Sequence, residues 1–411
     1  MNEILKLLPE MKAGNALISE LTVLPTYDEN IRSQNEAVRL IALSDLYKIY
    51  IPSPMTTEIY SKLYLALLRS LQKKMTKTAV IQQNQNYKAI QQQEYNGIMG
   101  GSDSFTIIGN SGIGKSSAIS RSINLLTAGG IIETHKPYTK IIPCLVVQCP
   151  FDSSVKGLLL EILRKVDKII GSDYYKNALK IRVTTDMLIG SVSQVAINHI
   201  GLLVVDEIQN VVNSKNGKSL VGMLTQLINN SGISICMVGT PESSVFFEQA
   251  MQLARRSLGL QYQSLPYDRY FYDFCCTLFS YQYTEHKSAI SDAIIEWLYE
   301  HSGGIVSVVV SLIHDAQEIA ILNGKEILSI DTLNEAYKKR LSMLHSYIEP
   351  TIKQRKQTAT RKKKPQPESV IKSADITDDF SIAGTAATAK ENNLDMVELL
   401  KKHIPIEEVR L

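Results

Sequence analysis

Short apolar runs alternate with segments of helical periodicity through the middle of the chain. Within each run successive residues are apolar, which is typical of strands buried on both faces of a parallel sheet. Segments such as Val155–Ile170 and Leu220–Asn229 have helical periodicity and fill the gaps. The pattern predicts a three-layer α/β domain over residues 101–264. We expect its strands at Phe105–Ile108, Ile142–Gln148, Gly201–Val205 and Ile233–Val238.

The regions on either side of this α/β domain have helical patterns without strands. Residues 1–100 are predicted to form an N-terminal helical extension, in which Ser53 and Pro54 favour the start of a helix. The periodicity of Ser288–His301 and Ile305–Asn323 predicts a small all-helical domain over residues 265–348.

The chain of 411 residues carries its charge unevenly, although the net charge is only +3. Residues 351–364 contain seven basic and no acidic side chains, whereas residues 365–411 contain nine acids and five bases. Residues 1–350 are therefore close to neutral, so any DNA contact of the folded part needs a local patch or repetition across subunits. The composition of residues 349–411 predicts a disordered tail, with a short partner-binding helix near 394–403.

Composition limits the class of protein further. Hydrophobic residues make up 44% and charged residues 21%, as expected for a chain with a real core. No apolar run has the length of a membrane span and the N-terminus lacks the layout of a signal peptide, which predicts a cytoplasmic protein without a membrane partner. The five cysteines have no metal-ligand spacing and are expected to be reduced thiols.

Residues 109–116 fit the G-x-x-x-x-G-K-[ST] pattern of a phosphate-binding P-loop and lie between a predicted strand and a predicted helix. In such a loop the backbone N–H groups and the positive end of the helix cradle a polyphosphate. Lys115 is expected to reach the β- and γ-phosphates and the Ser116 hydroxyl to bind Mg²⁺. The pattern therefore predicts ATP and Mg²⁺ as cofactors. The predicted nucleotide-binding residues are Gly109, Asn110, Ser111, Gly112, Ile113, Gly114, Lys115, Ser116 and Ser117.

Two acids end a second apolar strand about ninety residues later. Asp206 is expected to hold Mg²⁺, and Glu207 is expected to act as a general base or to orient the attacking water. The pair alone is a moderate signal, because two carboxylates after a strand are common. The signal is stronger because the pair follows a complete P-loop by about ninety residues. The presence of Glu207 favours hydrolysis of the nucleotide over binding alone.

Three more candidates follow along the chain. Thr240 follows the next strand, where a polar side chain can hold the attacking water or simply end the strand in a turn. Arg255 or Arg256 can stabilise the γ-phosphate charge in a neighbouring subunit, and the alternative is a pair of surface arginines in ion pairs.

Taken together, these motifs resemble the AAA+ ATPases, and within them the TnsC/TniB family of transposition regulators. The resemblance covers roughly residues 30–345 and not the tail. The ATPase motifs are shared by many AAA+ groups, whereas the C-P-x-D-x-S-x-K-G-L and G-T-P segments point more narrowly to this family. The segments that carry it are 109–116, Cys149–Leu158, Val204–Gln209, Gly239–Pro241 and Gln252–Arg256.

The resemblance implies a function. Members of this family assemble on double-stranded DNA in an ATP-dependent way, as rings or helical filaments of identical subunits. They connect a target-selection protein to a DDE-type transposase, and hydrolysis limits or resets the assembly. The resemblance also implies an AAA+ core with a parallel sheet, and it identifies residues 265–348 as a helical lid domain.

The resemblance also assigns residues for DNA contact and for catalysis. Family members contact DNA near the start of the helix that follows the second strand, where Lys156 is the best match, and Arg164, Lys165 and Lys168 lie further along the same helix. Many AAA+ lids carry an arginine shortly after a glycine at a helix start, whereas Gly303–Ser307 contains none. We therefore expect catalysis to depend on the neighbouring subunit.

Two other functions stay open on the sequence. The chain is also similar to helicase loaders and replication initiators of the AAA+ class, although the expected winged-helix domain has no counterpart after residue 350. A third hypothesis is a nucleotide-gated DNA-binding adaptor in which ATP switches assembly and turnover is slow.

Overall fold

The computed structural model of the chain describes residues 8–74, 104–127, 130–135, 138–180, 184–212, 214–244 and 259–342. These residues all belong to one compact unit, Met1–Arg355, and a second unit comprises Lys356–Leu411. The predicted tail, Arg255 and Arg256 lie outside the described residues.

One six-stranded sheet organises the described residues, in the order β2-β3-β4-β5-β1-β6. The strands are β1 (Phe105–Gly109), β2 (Ile132–His135), β3 (Tyr138–Gln148), β4 (Ile200–Asp206), β5 (Ser234–Gly239) and β6 (Leu260–Tyr262). Neighbouring strands are parallel except β2, which is antiparallel to β3. The predicted α/β class with a parallel sheet is confirmed, and the pattern of apolar runs locates the four central strands.

The order of the strands brings the sequence motifs together. β5 lies between β1 and β4, so the P-loop after β1 and the two acids after β4 are one strand apart. Strands are spaced about 4.8 Å apart, which leaves about 10 Å between the ends of β1 and β4. Because these strands are parallel, all three carboxyl ends meet at one edge of the sheet. This edge is where ligands bind in open α/β sheets.

Helices cover both faces of the sheet and form the region that follows it. They are α1 (Gly14–Leu21), α2 (Glu36–Ala42), α3 (Pro54–Lys74), α4 (Lys115–Thr127), α5 (Val155–Ile170), α6 (Tyr174–Lys180), α7 (Thr185–His199), α8 (Gly217–Ser231), α9 (Arg269–Ser280), α10 (Asp292–Ser302), α11 (Val306–Leu322) and α12 (Ile330–Arg340). Short 3₁₀ helices lie at Glu29–Ser33, Leu43–Lys48, Ile208–Val211 and Pro241–Ser243.

Two apolar cores lie on opposite faces of the sheet. Side chains of α5, α7 and α8 pack on one face, and those of α1, α3 and α4 pack on the other. Helix α5 is fixed by the Ser154 hydroxyl, which accepts a hydrogen bond from the Gly157 amide at 3.1 Å, and it ends at Gly171 in the left-handed region. Burial of its five core side chains contributes on the order of 10 kcal/mol to the gross hydrophobic term. They are Leu158, Leu159, Ile162, Leu163 and Val166.

Helices α9–α12 pack around a third core; they lie in the region that is predicted to be the lid domain, and we use the name lid for its described residues. The N-terminal extension contributes to that core through Leu43 and Leu46, and it also supplies α1 and α3 to the sheet. No single helix among the described residues is long and apolar enough to span a membrane, and only α10 and α11 taken together across a 120° bend meet the length and composition criteria.

A buried ion pair joins the N-terminal extension to the lid. Arg39 on α2 is 1% exposed, and its Nη1 and Nη2 donate to Glu326 Oε2 at 2.6 Å and Oε1 at 2.9 Å. Arg39 Nη1 also donates to the Tyr283 carbonyl oxygen at 3.2 Å. The hydrogen bond from Arg39 lowers the pKa of the Glu326 carboxyl, so the pair is charged at neutral pH.

Replacing Glu326 by Ala should therefore destabilise the protein by about 3 kcal/mol, because the buried guanidinium loses its main partner. Urea unfolding at pH 7 measures the change. Since the folded-state pKa of Glu326 lies below its unfolded value, the stabilisation is present above the unfolded pKa and is lost as the pH falls through the folded one. The difference between the two proteins should shrink accordingly in acid.

The matched control is Asp273→Ala on α9, whose exposed carboxylate accepts a hydrogen bond from the exposed Arg269 on the same helix. Exposed pairs of this kind contribute little, so this variant should unfold near the wild-type midpoint. Equal losses from the two substitutions would show that the Arg39–Glu326 pair does not hold the lid.

Candidate functional site

The P-loop is a turn in which two positions favour glycine. β1 ends at Gly109 and α4 begins at Lys115, so residues 110–114 form the turn. Gly112 and Gly114 have φ of 80° and 95°, in the left-handed region that side chains disfavour. The backbone turns back here, so that its N–H groups and the N-terminus of α4 face the same space.

Lys115 is held over this turn by backbone oxygens. It is 9% exposed, and its Nζ donates to the carbonyl oxygens of Gly109 at 2.6 Å and Asn110 at 2.8 Å. Burial lowers the pKa of the Lys115 ammonium, and the nearby carboxylates of Asp206 and Glu207 oppose that shift. The ammonium is therefore positioned at the mouth of the loop, beside the two acids.

Ser116 and Asp206 supply the donor set for a divalent cation. The Ser116 hydroxyl donates to Asp206 Oδ2 at 3.1 Å, across the intervening strand β5. Mg²⁺ prefers oxygen ligands in an octahedron with bonds of about 2.1 Å, in which adjacent ligands lie about 3 Å apart. The hydroxyl and carboxylate oxygens therefore fit Mg²⁺ in chemistry and in spacing.

Glu207 has an unusual backbone conformation. Its φ of 58° lies in the left-handed region, which costs a residue other than glycine on the order of 1 kcal/mol. Its amide donates to Asp206 Oδ1 at 2.8 Å, and its carboxylate accepts a hydrogen bond from Gln209 Nε2. The hydrogen bond from Gln209 fixes the position of the carboxylate. The sequence motifs do not predict this role of Gln209.

Thr240 lies at the end of β5, between the two halves of the site. Its hydroxyl hydrogen bonds to the Glu242 carboxylate, and this bond is the main reason that the pKa of Glu242 is lowered. The space around it is tight, since a Cβ on Gly239 would lie 2.7 Å from the Ile208 side chain and 3.1 Å from Gln209 Oε1.

These side chains surround one cavity of about 290 Å³, which we call the phosphate cavity. The P-loop and the start of α4 supply half of its lining residues, the ends of β4 and β5 and the residues just after them supply most of the rest, and the lid supplies one residue. The lining residues are Ser111, Gly112, Gly114, Lys115, Ser116, Ser117, Asp206, Glu207, Gln209, Gly239, Thr240 and Ser307. This cavity therefore brings together residues that are predicted to bind phosphate and Mg²⁺ and residues that are predicted to act on water.

A second cavity of about 270 Å³ adjoins the first and is mostly apolar. We call it the apolar pocket; it lies between the N-terminal residues 46–56, the P-loop and α11, and it shares Gly112, Gly114, Ser117 and Ser307 with the phosphate cavity. The Arg121 guanidinium carbon lies 4.4 Å from the centre of the Tyr50 ring. A flat apolar group such as a nucleobase fits this chemistry. No spacing in the sequence relates residues 46–56 to the P-loop.

The predicted DNA-contact residues on α5 divide into two kinds. The Arg164 Nε and Nη2 donate to Glu161 at 2.7 Å each, and Lys165 Nζ donates to the Val146 carbonyl oxygen of β3 at 2.8 Å. Lys156 and Lys168 are exposed and make no ion pair with a described residue. Lys156 and Lys168 therefore keep free ammonium groups, whereas Lys165 is turned toward the sheet.

Comparisons with known proteins give a match to one family model and matches to solved structures. Residues 99–263 match the family model described as bacterial TniB protein. No curated protein gives a significant match. Solved structures with a similar fold include the Orc1 protein of Aeropyrum pernix in complex with DNA, at 12% identity over 65% of this chain and 68% of that chain with a TM-score of 0.42. Drosophila ORC bound to DNA matches at 12% identity over 96% of this chain and 82% of that chain, with a TM-score of 0.47.

The family match spans the P-loop, the acidic strand β4 and the end of β5. It also includes the segment after β3 on which the narrower resemblance depends. The resemblance inferred from the sequence motifs is therefore confirmed over residues 99–263, the part of the chain that matches the TniB family model.

Proposed function

We propose that this protein is an ATPase that oligomerises on double-stranded DNA when it binds ATP, and that it links target-site selection to recruitment and activation of a transposase. The observation that carries the proposal is the 3.1 Å hydrogen bond between Ser116 and Asp206. It joins the P-loop to the acidic strand, so one cavity holds the groups for binding and for hydrolysis. The TniB family match supports the transposition role.

Nucleotide binding follows from the charges and donors of the phosphate cavity. The backbone N–H groups of the P-loop and the Lys115 ammonium bind the polyphosphate, and the apolar pocket takes the nucleobase. Ser116 and Asp206 would hold Mg²⁺, which would neutralise charge on the polyphosphate.

Hydrolysis requires a water molecule positioned in line with the γ-phosphate. The Glu207 carboxylate, held by Gln209, orients this water and accepts its proton. Thr240 at the end of β5 provides a hydroxyl on the same side of the cavity. Arg255 or Arg256 of a neighbouring copy stabilises the charge that develops on the γ-phosphate. This arrangement makes turnover depend on assembly.

DNA binding then depends on basic side chains that recur in every subunit of the assembly. Residues 1–350 are close to neutral in sum, so a single copy has a weak electrostatic attraction for duplex DNA. Lys156 and Lys168 on α5 offer phosphate contacts that recur in every subunit of a ring or filament. Such contacts position the assembly without specifying sequence, which leaves target choice to a separate selection protein.

Replacing Lys115 by Ala should abolish nucleotide binding, because it removes the cation at the mouth of the P-loop. ATP-dependent assembly on duplex DNA should be lost with it. Electron microscopy with duplex DNA and a non-hydrolysable ATP analogue measures assembly directly. Lys176→Ala is the matched control, since this exposed lysine lies outside both cavities and forms an ion pair with Asp173 on the surface. Filaments of normal length from the Lys115 variant would overturn the proposed switch.

Replacing Glu207 by Gln should slow turnover by about a hundredfold or more, because the amide cannot accept the proton. ATP affinity should change by less than about threefold, and assemblies should persist on DNA. Phosphate release and the lifetime of the DNA complexes measure the two effects. Asp206→Asn offers a contrast, as it should instead weaken Mg²⁺-dependent binding. Unchanged phosphate release by the Glu207 variant would remove that residue from the mechanism.

Replacing Lys156 by Ala should weaken DNA binding uniformly across sequences and reduce its salt dependence by about one unit of slope per subunit. Fluorescence anisotropy of a labelled duplex, measured over a range of salt with the non-hydrolysable analogue, tests this. Arg164→Ala on the same helix is the control, because its guanidinium is engaged by Glu161. An equal change in both variants would argue against a direct contact by Lys156.

A further inference from the structure

The turn between α10 and α11 packs against Leu265 at the start of the lid. Gly303 and Gly304 have φ of 59° and 74°, and the Leu265 amide donates to the Gly304 carbonyl oxygen at 3.0 Å. A Cβ on Gly304 would lie 2.1 Å from the Leu265 carbonyl oxygen, so the two backbones are in close contact. This packing fixes where the first turn of α11 begins.

The first turn of α11 touches the P-loop directly. The Ser307 amide donates to the Gly112 carbonyl oxygen at 3.0 Å. A Cβ on Gly112 would lie 2.3 Å from Ser307 Oγ and 2.9 Å from Ile305 Cγ2. The lid therefore rests on the P-loop with no space left, and a main-chain hydrogen bond joins them.

The Ser307 hydroxyl is available at the same point. Ser307 is exposed, and its Oγ makes no hydrogen bond with a described residue. The residue lines both the phosphate cavity and the apolar pocket, at the place where the two meet. A hydroxyl beside P-loop N–H groups lies where a polyphosphate oxygen would accept its hydrogen bond.

We propose that Ser307 is the lid's contact to the polyphosphate: its hydroxyl donates to a phosphate oxygen while its amide holds the P-loop through Gly112. The inference rests on the proposed nucleotide-binding function. A neutral hydroxyl takes the place of a charged lid group here, since residues 303–307 contain no cation. The lid thus responds to the phosphates through a hydrogen bond, and the two contacts of Ser307 are separable because alanine keeps the amide.

The first test compares Ser307→Ala with Ser307→Thr. Loss of one hydrogen bond to a charged group should weaken ATP and ADP binding about tenfold in the Ala variant, and the Thr variant should recover most of that affinity. Competition against a fluorescent ATP analogue measures both, and adenosine in the same assay should compete equally with all three proteins. Equal ATP affinities for wild type and Ser307→Ala, or an equal loss for adenosine, would overturn the phosphate contact.

The second test is a double-mutant cycle with Gly112→Ala, read by thermal unfolding without nucleotide. The added Cβ meets the Ser307 hydroxyl and should lower the melting temperature. Adding Ser307→Ala should recover part of the loss, because that oxygen is the closest atom. Ser280→Ala, an exposed lid serine outside both cavities, should recover nothing. Additive shifts in the first pair would show that the lid does not rest on the P-loop.

Failure of this inference and failure of the proposed function have different signatures. If wild type and Lys115→Ala bind ATP equally, the nucleotide site itself is wrong. If Lys115→Ala loses ATP while Ser307→Ala binds as wild type does, only the role of Ser307 is wrong.

Discussion

The hydrogen bond between Ser116 and Asp206 forms because the order of the strands in the sheet brings the two residues together. The two positions are ninety residues apart, and they meet because β5 lies between β1 and β4. A sheet built in sequence order would separate the P-loop from the acids by further strands at about 4.8 Å each. The strand order, with β5 between β1 and β4, therefore positions the oxygen atoms that could bind Mg²⁺.

The lid is tied to the nucleotide site from two directions. The buried pair of Arg39 and Glu326 holds the N-terminal extension against the lid, and Ser307 holds α11 against the P-loop. Residues 46–56 and α11 both line the apolar pocket, so a nucleobase bound there would lie beside both. A ligand in that pocket and a ligand at the P-loop would therefore both lie beside the lid. A change in the lid's position would break the contact of Arg39 with Glu326 or that of Ser307 with Gly112.

The sequence predicts the parts of the molecule whose contacts are local or periodic. The central strands are recognisable because both faces are buried, whereas β2 contains Glu133 and β6 has only three partly exposed residues, so neither has a clear pattern. The family resemblance assigned Lys165 to DNA contact, whereas its spacing of seven from Leu158 turns it toward the buried side of α5, where its Nζ donates to the Val146 carbonyl oxygen. The contacts of Ser307 with Gly112 join residues almost two hundred apart, and no local signal specifies them.

The charge balance of the phosphate cavity connects catalysis to assembly. Lys115 is the one basic side chain among the described residues that line it, and Asp206 and Glu207 add negative charge. A triphosphate carries more negative charge than Lys115 and one divalent cation neutralise, and more develops on the γ-phosphate as it transfers. The lid offers a neutral hydroxyl at Ser307, and under the proposed function Arg255 or Arg256 of another copy of the chain would supply the further positive charge. A copy beside its neighbour on DNA would then receive that charge, whereas an isolated copy would not.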